Sequence, residues 1–156
     1  MSSEKHELTI SHIIKAPLSV IWKAWLIPEY FEKWWIPQPI VCKVIKMDLK
    51  VGGGFETEMS KDGGIYQPYL KGCFLEVVPQ ERIVFTTALI EDLQPAESSL
   101  AITVIITMQG TSSGTLCTTR VKHKNSEDIS KHLKLGFNET WTAILEQLAK
   151  LAERMM

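Results

Sequence analysis

The sequence predicts an α+β domain: a curved antiparallel sheet of about six or seven strands wrapped on one long C-terminal helix, with two short helices after the first strand. Three observations predict it. The middle of the chain is a succession of strand-like segments joined by short turns, which makes an antiparallel sheet. The end of the chain carries apolar residues at helical spacing with no proline to interrupt them. A single amphipathic helix must then bury its stripe against the sheet, because no other layer is available.

His6 to Ile14 alternates polar and apolar residues, with Leu8, Ile10, His12 and Ile14 on one side, and reads as the first strand. Pro17 is placed to open a helix. In LSVIWKAWL, residues 18–26, Ile21, Trp22, Trp25 and Leu26 recur at helical spacing, and Pro28 ends the run. EYFEKWW, residues 29–35, is a second short helical piece closed by Ile36-Pro37. Strands follow at 41–49, 51–59, 69–78, 82–90, 100–108 and 115–123. The glycines at 52–54 supply turn geometry that other residues resist, and SKDGG at 60–64 is a hairpin signal. EDLQPAESS, residues 91–99, reads as a polar loop. Ser126 is placed to cap the last helix, with Glu127 and Asp128 suited to its positive end. From there Leu133, Phe137, Trp141, Ile144, Leu148, Leu151 and Met155 form one stripe on a helix expected to run unbroken to the chain end. On that reading Gly136 lies inside the helix, at a cost of about 1 kcal/mol relative to Ala.

The 156 residues are one ordinary domain, 1–156. A net charge of −1 and the lack of any basic block argue against nucleic acid as a partner. The longest apolar run, LAITVIITM, is too short to span a bilayer, and the polar MSSEKHELTI has no signal-peptide core. Neither a membrane role nor export is therefore expected. Cys42, Cys73 and Cys117 form no zinc pattern and fall in strands, where a free thiol behaves as a small buried hydrophobe. This points to a reducing cytoplasm. The four histidines are scattered, and His123 and His132 flank the start of the last helix. With no converging set of three or four ligands, no metal is expected. VGGGF lacks the following helix and the Lys-Ser/Thr of a phosphate loop and reads as a structural turn. No cofactor is expected, and no catalytic acid or base is assigned. Glu58, Glu76 and Tyr69 are the polar residues best placed near an interior wall.

A sheet that curves around one helix leaves a gap where the two diverge, and such gaps take small ligands. Trp34 and Trp35 bear on this, because adjacent residues point about 100° apart on a helix. One indole is expected to pack against the first helix or sit at the surface. The other, Trp35, faces the gap. Residues of matching strand or helix parity share it: Phe55, Met59, Phe74, Phe85, Val104, Phe137 and Trp141. Val104 belongs to the apolar face made by Ile102, Val104 and Ile106.

Several pieces resemble a known superfamily in the same order: APLSVIWKAW at 16–25, the KWW.P group at 33–37, DLKVGGGF at 48–55, DGG at 62–64, KGCFLEVVPQERIVFT at 71–86, and GF...W..ILEQLA ending at Ala149. The chain resembles the START-like, helix-grip domains of the SRPBCC superfamily. Within it, the chain is most similar to the branch named for the C-terminal domain of the heat-shock-protein-90 ATPase activator. The resemblance spans nearly the whole chain and implies the helix-grip fold and a hydrophobic cavity. His12, where the family often has Arg, and Phe137, where it often has Gly-Trp, depart from the pattern. What the resemblance implies for function is binding of a small, largely hydrophobic molecule. A cyclase-like enzyme acting on an aromatic or polyketide-like substrate is the alternative, and a chaperone-interaction module the third reading. The eukaryotic activator carries a separate N-terminal domain, for which one 156-residue domain has no room. A monomer and a homodimer both remain open.

Overall fold

The computed structural model describes residues 6–156. The first five residues of the polar N-terminus, read above as carrying no signal segment, lie outside them. The chain runs β1 (Glu7–Ile14), α1 (Leu18–Leu26), α2 (Pro28–Phe31), β2 (Val41–Met47), β3 (Gly54–Ser60), β4 (Gln67–Val78), β5 (Arg82–Thr86), β6 (Leu89–Ile90), β7 (Gln94–Pro95), β8 (Thr103–Thr111), β9 (Gly114–Lys122), α3 (Ser126–Lys134) and α4 (Phe137–Met155). Seven strands form one antiparallel sheet in the order β1-β9-β8-β5-β4-β3-β2, and β6 and β7 form a separate small ribbon. This is the α+β helix-grip architecture, with α1 and α2 in the crossover that carries the chain from one edge strand, β1, to the other, β2.

Strand parity places the faces as the alternation requires. In β1 the Leu8, Ile10, His12, Ile14 side turns inward, while Ile13 is left 52% exposed. In β8, Val104, Ile106 and Met108 are buried, and Val104 lies directly across from Phe85. The glycine turn before β3 exists because backbone crowds it: a Cβ on Gly53 would lie 1.9 Å from the Asp48 carbonyl oxygen.

Three expectations need correction, besides the second short helix, which stops at Phe31 instead of running to Trp35 and leaves both indoles in the turn after it. The last helix is not continuous. Gly136, at φ +95°, is a left-handed residue between α3 and α4, a conformation that glycine adopts without the Cβ penalty. Leu133 therefore leaves the stripe and is 40% exposed. α4 carries Phe137, Trp141, Ile144, Leu145, Leu148, Leu151 and Ala152 into the core over about 28 Å. Second, the α3 cap is Asn125, whose Oδ1 accepts the Asp128 N–H at 2.8 Å; Ser126 is the first helical residue. Third, residues 82–90 are not one strand. β5 stops at Thr86, and the following segment folds into the β6–β7 ribbon with a turn at Glu91–Leu93, so the polar stretch after Ile90 is partly structured.

Candidate functional site

The crossover segment sends its two adjacent indoles different ways. Trp34 is 1% exposed and packs edge-on against Trp25 of α1, with ring centroids 5.0 Å apart. Its Nε1–H donates to the Ala24 carbonyl at 3.0 Å. That carbonyl needs a partner, because the residue four places on is Pro28 and has no N–H to give. Trp35 instead turns toward the sheet and α4, touching Phe55, Phe85 and Trp141. Gln147 of α4 fixes this arrangement. Its Nε2 donates to the carbonyls of Trp34 and Ile36 at 3.2 and 2.9 Å, and its Oε1 accepts the Gln38 N–H at 2.8 Å.

Beyond Trp35 the sheet and helix diverge around an open cavity of about 660 Å³. Its apolar wall includes Trp35, Leu70, Phe85, Ile102, Val104, Phe137 and Trp141. The loop 97–100, the α3–α4 junction at Leu135 and Gly136, and Pro68, Tyr69, Lys71 and Thr87 on the sheet side complete its lining, together with His132 and Thr140. Lys131 Nζ donates to the Ser99 carbonyl at 2.9 Å and ties that loop to α3.

Trp35, Phe85, Val104, Phe137 and Trp141 thus line the cavity, whereas Phe55, Phe74 and Met59 do not. Phe55 and Phe74 have the right parity but lie deeper. They are fully buried, stacked at 4.7 Å, and fill the inner half of the gap together with Phe31 and the indoles. Parity gives the face of a strand and not the depth along it. Met59, near the end of β3 where it pairs with Cys42 and Gln67, packs against the core instead. Tyr69 does line the cavity: the β3–β4 register skips it, and this bulge re-aims the residue. Glu58 and Glu76 do not line it, and Glu76 is paired with Arg82 at 2.6 Å.

Sequence reasoning missed the histidine pair. His123, at the end of β9, and His132, on α3, meet with Nε2 and Nδ1 2.8 Å apart. The His132 ring stands edge-on to Phe137, with centroids 5.1 Å apart. Burial, and then the neighbouring His123, push the His132 pKa down to about 4 from an ordinary 6.5. The signal was available: a histidine just before a capped helix and another in its second turn are brought together whenever that helix folds back on the strand. A second buried polar atom in the wall, Trp35 Nε1, has no acceptor among the described residues. No group of three or more metal-ligating side chains occurs among them either.

The three thiols are free and buried. Burial lifts Cys117 to about 12; burial, then the Glu32 carboxylate, lift Cys42 to about 12. No helix among the described residues is long and apolar enough to cross a membrane.

The model of the family described as "Activator of Hsp90 ATPase homolog 1-like protein" matches residues 15–153. The chain belongs to this family. A solved structure of a protein from Nitrosomonas europaea shares 32% identity, covering 99% of this chain and 98% of that one, with a TM-score of 0.86. One from Chromobacterium violaceum shares 27% identity over 95% and 98% of the two chains, with a TM-score of 0.73. An AHSA1-like protein from Aeromonas hydrophila shares the fold at 20% identity, 96% and 93% coverage and a TM-score of 0.70. No curated protein matches the chain.

Proposed function

We propose that this family member binds a small, largely apolar molecule between the sheet and α4. The observation that carries the reading is the cavity of about 660 Å³ with an aromatic wall, a size and character suited to a small organic ligand. A flat molecule burying roughly 250 Å² of apolar surface gains about 6 kcal/mol at about 25 cal/mol per Å². Ordering costs reduce that, so the affinity is micromolar or weaker.

Binding is favoured over catalysis by the cavity's imidazole. General acid–base catalysis works best with a group poised near the operating pH, and His132 is displaced well below it. The buried free thiols accord with a reducing compartment, so the cytoplasm is the proposed location. The test is native mass spectrometry of protein purified from its own cells, joined to fluorescence titration with 2-methylnaphthalene. A co-purified organic molecule, and quenching of tryptophan emission that Trp35→Phe largely removes, are expected. Absence of both would defeat the reading. The family description favours a second role, in chaperone ATPase activation. It is tested by adding the protein to a heat-shock-protein-90 ATPase assay and looking for a rise in turnover.

A further inference from the structure

The histidine pair gives the cavity a defined hydrogen-bonding polarity. The chain of contacts begins at the His6 carbonyl, which accepts the His123 backbone N–H at 2.6 Å and lies 3.3 Å from His123 Nδ1. A carbonyl oxygen can only accept, so Nδ1 of His123 carries the proton. In a neutral imidazole the other nitrogen is then an acceptor. His123 Nε2 therefore takes its hydrogen bond from His132 Nδ1–H, across 2.8 Å. This fixes the His132 tautomer in turn and leaves its Nε2 with a lone pair. That nitrogen makes no hydrogen bond among the described residues, while its ring lines the cavity beside Phe137.

We propose that His132 Nε2 is the polar anchor of the cavity and accepts a hydrogen bond from the ligand, so that the preferred ligands are neutral, flat apolar molecules bearing an O–H or N–H donor. The inference rests on the binding reading above and specifies its chemistry. At this nitrogen carboxylates are selected against, because a lone pair facing an anion repels it and the imidazole is held neutral by its burial and by His123; of the charged residues in the lining, Lys71 is paired with Glu56 at 3.7 Å and Glu97 is itself an anion. Molecules with no polar group fit the wall but leave Nε2 without a partner.

Three probes of similar shape separate the outcomes: 2-naphthol, which is neutral and donates; 2-methylnaphthalene, which is neutral and has no donor; and 2-naphthoate, an anion. Affinities are read by protein-observed NMR titration at pH 7. A hydrogen bond of ordinary net strength makes 2-naphthol roughly twofold to tenfold tighter than 2-methylnaphthalene, with 2-naphthoate weakest. His132→Phe keeps an aromatic ring and removes the acceptor, and it should bring the ratio of the two neutral probes close to one. Long-range proton–nitrogen spectra of the unaltered protein give a reading that does not depend on the variant folding. His132 Nε2 should appear as the unprotonated nitrogen and shift on addition of 2-naphthol. Equal affinities for the neutral probes, tightest binding of 2-naphthoate, a ratio unmoved by His132→Phe, or a protonated Nε2 would each overturn the proposal while leaving apolar binding intact. If none of the three probes binds, the binding reading fails first and this inference fails with it.

Discussion

Trp34→Phe and Trp35→Phe remove the same atoms from adjacent positions, yet the structure requires very different costs. Both indoles are buried, at 1% and 5% exposure, and both pack among aromatic rings. Shrinking either ring forfeits contacts worth about 1–2 kcal/mol. Trp34→Phe also removes the side-chain donor to the Ala24 carbonyl, which Pro28 cannot replace. A buried carbonyl left unpaired adds about 1–3 kcal/mol. Trp35 Nε1 has no partner to lose, and removing an unpaired buried donor offsets much of the lost packing. The expected losses are about 2–5 kcal/mol for Trp34→Phe and at most about 1 for Trp35→Phe. Urea unfolding followed by circular dichroism, which does not depend on the indoles removed, should separate the two midpoints by about 0.5 M or more. Losses that agree within about 0.5 kcal/mol would refute the assignment of these two indoles.

Three further outcomes follow from the same geometry. His132 has a lowered folded pKa, so the unfolded chain binds its proton first; stability should be full above about pH 6.5 and fall as pH drops toward about 4. The full linkage of about 3 kcal/mol, discounted for the ring's half exposure, leaves about 1–2 kcal/mol, and its disappearance from the pH–stability curve of His132→Phe is the check. Gly136→Ala should destabilise by about 1–2 kcal/mol in thermal or urea melts, from its positive φ alone, since nothing lies closer than 3.5 Å to the added methyl; a gain in stability would mean the two helices merge. Removing the chain from Leu133 onward deletes all of α4 and should abolish cooperative unfolding in calorimetry, because each of its buried large side chains contributes roughly 1.5–3 kcal/mol.

Local pattern determined most of the architecture. Alternation in residues 6–14 and 102–106 set the inward faces of β1 and β8, and the spacing from Phe137 to Leu151 set the buried face of α4. These patterns were legible because burial of one face imposes a period that the chain must repeat. The divergence of Trp34 and Trp35 was expected from a helical offset, but α2 ends at Phe31 and both indoles lie in the turn after it, so the turn and the packing around it set their directions. Tertiary structure decided the rest. Gly136 reads as a helix interior by spacing, and only the turn of α4 away from α3 forces its left-handed backbone. Phe55 and Phe74 have the parity of cavity residues, but their depth follows from how closely seven strands coil around the helix, which no single strand encodes. The meeting of His123 and His132 depends on α3 folding back over the end of β9. A periodic pattern specifies a direction from the chain axis; a cavity and its polar anchor are specified by distances between axes, and these arise only when the elements pack.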